Sequence, residues 1–191
     1  MVDQLAEEFA GQPVVFLEHD VDAPQGDRIS RWWAAWGPGS ATLPLVMVDS
    51  GNHISSGSVN FHDVYSSMVE TAMTRPPMAR LTVESERHNW MYTFQVTIRN
   101  LSETSLGPTN EATLHAIIYE EAHVADTDRW VRAATSTPIP LLEPGEETTL
   151  SMELAVTGVQ DYLKVHSVVL ADYRPGGSSG RYDMLQAAHQ Q

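Results

Sequence analysis

The chain contains no cysteine, which removes disulfides, thiolate metal ligands, sulfur nucleophiles and any dithiol redox centre from its chemistry. Lysine is nearly missing too: Lys164 is the only one, and the formal charge of the 191 residues is −14. Nucleic acids and anionic membrane surfaces are bound through basic patches, so neither is an expected partner. No stretch reaches the roughly 18 consecutive apolar residues of a membrane helix, so no membrane span is expected. The opening "MVDQLAEEFAGQP" has neither the basic n-region nor the apolar h-region of a signal peptide. "GPGS" and "RPGGSSG" lack the phosphate-loop spacing and its lysine and read as turns. No Gly-x-Ser-x-Gly frames Ser55, Ser56 or Ser58, which argues against a serine hydrolase of the nucleophile-elbow type.

What is present is an ordinary globular composition, 42% hydrophobic and 19% charged, in a length that accommodates two small domains. Val2, Leu5, Ala6 and Phe9 fall at helical spacing and Gly11 and Pro13 stop the pattern. That reads as a helix already under way at Met1, the start expected of a fragment. "PVVFLEHDVD" is a continuous apolar run of strand length, the pattern of a strand buried on both faces inside a sheet. "DAPQGD" is turn chemistry, and Asp27 is placed to cap a short helix from Arg28 to Trp36 that ends at "GPGS". "LPLVMVDSGNHISSGS" reads as two short strands about a turn at Asp49 to Asn52. Pro44, which has no N–H for a ladder, opens the first of them. Asn60 then caps a helix, "FHDVYSSMVETAM", with Phe61, Val64, Tyr65, Met68, Val69 and Ala72 on one face, and "TRPP" ends it.

Helix, buried strand, helix, proline-led strand, glycine-turn hairpin and terminal helix together resemble the thioredoxin fold after its active-site strand, over about residues 1 to 75. The resemblance implies a cis Leu43-Pro44 bond, and Leu43 and Pro44 at the peptide-binding side of the family's site. The family's first core strand and its Cys-x-x-C would precede Met1. No redox activity is therefore expected of this cysteine-free chain, and whether it is an enzyme at all stays open. In the family the missing strand lies between the counterparts of Val14 to Glu18 and Leu45 to Val48. Buried unpaired backbone groups cost about 1 to 3 kcal/mol each. The expectation is that those two segments pair directly as antiparallel neighbours, or that another segment or chain fills the slot.

From Met78 the pattern changes to period-two alternation, which places a domain boundary in "TRPPMA", between residues 1–76 and 77–191. In "YTFQVTI", Tyr92, Phe94, Val96 and Ile98 alternate with Thr93, Gln95 and Thr97, a half-buried antiparallel strand. "ATLHAIIYEE", "TTLSMEL" and "LKVHSVVLADY" supply further strands with turn signals between them. "NLSETSL" followed by "LLEPGEETTLSMEL" is similar to immunoglobulin-like modules of bacterial surface and secreted proteins. The expected fold class is thus α/β plus all-β: an incomplete thioredoxin-like domain followed by an immunoglobulin-like β-sandwich with a C-terminal tail. In that tail Tyr182, Met184 and Leu185 are placed to dock. The combination resembles exported bacterial thioredoxin-like proteins, which implies an extracytoplasmic or secreted location.

Candidate chemistry is sparse. His19, His53, His62, His88, His115, His123, His166 and His189 show no metal-ligand spacing. In "EHDVD", Glu18, Asp20 and Asp22 would project from one side of a strand, where carboxylates can hold a hard cation or simply be solvated. Trp32, Trp33 and Trp36 cluster on one helix, either packed over a sheet with one ring partly exposed or forming an aromatic binding patch. The candidate binding residues are therefore Leu43, Pro44, Trp32, Trp33 and Trp36, with no catalytic residue, metal or cofactor assigned. The leading expectation is a noncatalytic binding or scaffolding protein with a protein or peptide partner. The alternatives are a fragment of a thiol-disulfide oxidoreductase whose dithiol lies upstream of Met1, and a structural surface protein that oligomerises by strand exchange.

Overall fold

Two apolar patterns, period-two strands and continuous apolar runs, are resolved by a layered β-rich architecture in which strands outweigh helices. The computed structural model describes residues 2–19, 28–57, 60–123, 128–177 and 179–190. Within these the order is α1 (Val2–Glu8), α2 (Arg28–Trp36), β1 (Leu45–Val48), β2 (His53–Ser56), α3 (Phe61–Met73), β3 (Ala79–His88), β4 (Met91–Asn100), β5 (Thr113–Glu120), β6 (Trp130–Pro138), β7 (Glu147–Ala155), β8 (Val165–Tyr173) and β9 (Asp183–Gln190). Three antiparallel sheets result, β1-β2, β3-β4-β7 and β6-β5-β8-β9.

The two larger sheets share one core. Tyr92, Phe94, Val96 and Ile98 of β4 and Met152 and Leu154 of β7 meet Leu114, Ala116 and Ile118 of β5 and Val169 and Ala171 of β8. The alternation read in "YTFQVTI" is realised, because the opposite side of the three-stranded sheet faces solvent: Thr97 pairs with Thr149 and Ser151 with Gln95 through exposed side chains. Each of the fully buried Phe94, Val96 and Ile98 side chains contributes about 1.5 to 3 kcal/mol by leaving water.

β5 and β8 do not alternate; seven consecutive residues of each are buried. Continuous apolar runs of that kind belong to strands covered on both faces. The second cover comes from the N-terminal third. Val15 and Leu17 pack on Ile117, Tyr119, Val131, Val168 and Leu170 of the four-stranded sheet. Val14 and Phe16 point the other way, into a small cluster with Leu5, Phe9, Tyr65 and Val69 of the helical layer, which Val46 and Val48 of β1 also join.

This corrects the reading of residues 14–18 as a strand inside a sheet. The segment is extended and two-faced, as its run of apolar residues requires, but it forms only an isolated bridge, Glu18 to Trp130. Its two faces are satisfied by a helical layer and a foreign sheet. Direct pairing with Leu45–Val48 does not occur either; the ladder of β1 is made with β2. The C-terminal "tail" is likewise a strand: β9 pairs with β8, and Leu185 is 2% exposed in the shared core. β9 follows β8 in sequence and lies beside it as its antiparallel neighbour. In α3, Tyr65 and Val69 are buried as expected, whereas Val64 is exposed. Asn60 holds the N-cap position, but its side chain makes no capping hydrogen bond; its carbonyl accepts from the Val64 N–H.

Candidate functional site

Helix α2 carries the densest chemistry in the molecule, and it does so on an inverted face. Arg28, Arg31 and Ala35 are its buried residues, spaced three and four apart so that they form one stripe. Trp33 points outward and is 50% exposed, while Trp32 and Trp36 are half-buried. Trp32 meets the His19 ring edge-on at 5.2 Å.

The buried arginines converge on Asp172 of β8. Arg28 Nη1 donates to Oδ2 at 2.8 Å, and Arg31 makes a two-pronged contact, Nη2 to Oδ1 at 3.1 Å and Nε to Oδ2 at 3.2 Å. His115 Nε2 of β5 lies 3.0 Å from Oδ1, and Arg28 Nη1 also donates to Ser50 Oγ at 2.9 Å. Asp172 is fully buried. Burial alone would raise its pKa, but the His115 hydrogen bond and the two guanidiniums outweigh that and hold the carboxyl well below the usual carboxylate range. Burial pushes His115 down, and the two arginines add to this against the pull of Asp172. At neutral pH the centre is therefore an ionised carboxylate shared by two cations and a neutral imidazole.

A second junction lies beside it. Arg75 donates to Asp183 Oδ2 at 2.6 Å and to Asp49 Oδ2 at 3.0 Å, and Asn52 Nδ2 donates to Asp183 Oδ1 at 3.2 Å. The Arg31 guanidinium also lies 4.1 Å over the ring of Tyr182, whose hydroxyl donates to Glu111. Residues 1–76 contain three arginines and no lysine. All three are spent on carboxylates of β8 and β9, the strands at the other end of the chain. The hydrogen bonds of this constellation run among side chains of the N-terminal third and of the β-sheets, so its chemistry is that of a joint.

The sequence-derived binding residues are distributed over two elements. Leu43 is 64% exposed and Pro44 is exposed immediately before β1; the Leu43-Pro44 bond is cis. Thr42 exchanges two hydrogen bonds with Ser56 Oγ, N–H to Oγ and Oγ–H to O, both at 2.7 Å, and Gly57 N–H donates to the Pro44 carbonyl at 3.2 Å. The surface around Leu43 is thereby tied to the hairpin. Glu18 is engaged: its Oε2 accepts from the Asp128 and Arg129 N–H groups at 2.8 and 3.1 Å. Asp20, Asp22, Asp27 and Ser58 lie outside the described residues. No group of three or more ligating side chains suited to a metal occurs among the described residues, and no described helix is long and apolar enough to cross a membrane. The arginine–aspartate joint was missed in the sequence. Its one visible signal was arginine at three-residue spacing in a segment otherwise without cations.

No family model and no curated protein sequence matches the chain. Among solved structures it is similar, at 12% identity and a TM-score of 0.37, to β-glucosidase 3B from Thermotoga neapolitana, over 60% of this chain and 16% of that one. It is similar at 13% identity and the same TM-score to the sporulation control protein Spo0M from Bacillus subtilis, over 60% of this chain and 48% of that one. The chain therefore spans less than half the length of either protein.

Proposed function

We propose that the chain is a noncatalytic binding and scaffolding protein of extracytoplasmic location. In this reading an incomplete thioredoxin-like domain, residues 1–76, is seated on an immunoglobulin-like sandwich, residues 77–191, and a protein or peptide partner docks on Trp33, Leu43 and Pro44. The observation that carries it is the inverted face of α2. A helix that buries two arginines and exposes a tryptophan is oriented by its ion pairs, and the exposed ring is held on a rigid element as an interface anchor.

Other features support the finer assignments. The strand orders β3-β4-β7 and β6-β5-β8-β9, two antiparallel sheets about one core, support the reading as a seven-stranded sandwich. The order α1, extended segment, α2, cis-proline-led β1, β2, α3 agrees with the thioredoxin-like resemblance. The absence of cysteine accords with a binding role in place of dithiol chemistry.

The test is selection of random peptides on the immobilised protein, followed by titration of a selected peptide against variants. Trp33→Ala and Leu43→Asp are each expected to weaken binding by about tenfold or more, the effect of losing an interface anchor, with unchanged melting temperatures. Selected peptides that ignore both substitutions would overturn the proposal.

A further inference from the structure

We infer that the open end of the sandwich core, between the β3–β4 turn and the β7–β8 connection, is a binding site for a short saccharide bearing a single carboxylate. It lies at the opposite end of β8 from Asp172, about 25 Å away for a strand of this length, and is independent of the surface proposed above.

The inward row of β3 runs Ala79, Leu81, Val83, Ser85 and Arg87, because Arg87 is paired with the buried Tyr92 and shares its face. Arg87 stands at the end of that row, where β3 leaves the core, and is exposed. Its guanidinium lies 5.0 Å over the ring of Tyr162, and Arg87, Asn89, Trp90 and Tyr162 line an open cavity of about 330 Å³. Trp90 is 54% and Tyr162 41% exposed, and the neighbouring Leu163 is almost wholly so. In a chain with 25 acidic residues, no carboxylate pairs with Arg87 among the described residues.

The connections that carry the lining residues are anchored. Buried Glu120 accepts the Gln160 and Asp161 N–H groups on Oε1, at 2.9 and 2.6 Å, and Arg132 Nε on Oε2 at 2.6 Å. Asp161 Oδ1 accepts from the Leu163 N–H at 2.9 Å, and the Val156 N–H donates to the Trp90 carbonyl at 2.8 Å. The two aromatic residues thus come from connections tied to each other and to the core, which lowers the ordering cost of binding.

While one face of Tyr162 is covered by Arg87, the exposed Trp90 ring offers a face to the C–H face of a pyranose. Asn89 offers both a donor and an acceptor to its hydroxyls, and the guanidinium fork matches one carboxylate. A polyanion is disfavoured by the net charge of −14, so the ligand is short and carries one acidic group.

The experiment follows the Trp90 indole N–H resonance of the full chain, identified with Trp90→Phe, during titration with glucuronate- and galacturonate-terminated disaccharides and their neutral counterparts. The acidic sugars are expected to shift it and to bind about tenfold tighter than the neutral ones, the effect of one charge-assisted contact. Arg87→Gln should erase that preference without changing the melt, and Trp90→Ala should remove binding of both. No shift with any of the disaccharides, equal affinity for acidic and neutral sugars, or a response that survives Trp90→Ala would overturn the inference.

Discussion

Asp172 is the residue through which the two ends of the chain are held, and its environment fixes what its loss should do. A buried ion cluster contributes little net stability, because desolvation offsets the Coulomb attraction, but removing one partner strands the others in a medium that cannot solvate them. Asp172→Asn keeps the shape and leaves Arg28 and Arg31 buried without their counter-ion. It is expected to cost about 3 to 5 kcal/mol in urea unfolding. Asp3→Asn, which removes the exposed pair with Arg129, should cost less than about 1 kcal/mol. The pH dependence follows from the same groups. His115 has a pKa lowered by burial, and His189 is lowered by burial and by nearby His166. Both accept a proton more readily when unfolded, so the stability that depends on their neutral forms is present above about pH 6.5 and is lost as pH falls below it. Asp172 adds a second loss below the unfolded carboxylate value of about 3.9. The urea midpoint should therefore fall between about pH 7.5 and about pH 5, and His115→Gln should flatten that fall. An unchanged slope would assign the acid sensitivity elsewhere.

At the scale of elements, legibility tracked how local the cause was. The hairpin β1-β2, helices α2 and α3, and the alternating strand β4 were readable because turn chemistry, caps and periodicity act within a few residues. Residues 14–18 were misread because an apolar run reports two covered faces and is silent about what covers them. β9 reads as a docked tail because its Leu185, and Tyr182 just before it, follow a Gly-Ser stretch, with no alternation strong enough to announce a strand. The tryptophans of α2 read as packed with one ring partly exposed, and Trp33 is such a ring; the buried arginines of the same helix were not legible, since their carboxylate partner lies about 140 residues away. The turn that seats α2 offers a local test. Gly51 has φ +114, and a Cβ there would stand 2.7 Å from Ala35 Cβ. Gly51→Ala is expected to destabilise by about 1 to 3 kcal/mol, the cost of a strained backbone, and to loosen the hairpin against α2. A melt within about 0.5 kcal/mol of the parent, the range of a neutral surface change, would show that the contact gives way freely.

At the scale of the whole molecule, the N-terminal third behaves as a cover for the outer face of the four-stranded sheet. Ile117, Tyr119, Val131, Val168 and Leu170 are buried by it, and Asp172 and Asp183 hold its arginines. A sandwich of residues 77–191 alone would expose that apolar face, and large exposed patches drive association. The fragment is expected to aggregate or to bind a hydrophobic dye where the intact chain does not. The proposed scaffolding role requires one cooperative body that presents Trp33 at a fixed angle. Differential scanning calorimetry of the intact chain tests that most directly. A single transition whose calorimetric and van't Hoff enthalpies agree, shifted down as a unit by Asp172→Asn, is the expected result. Two separable transitions, with the later one unaffected by Asp172→Asn, would contradict it.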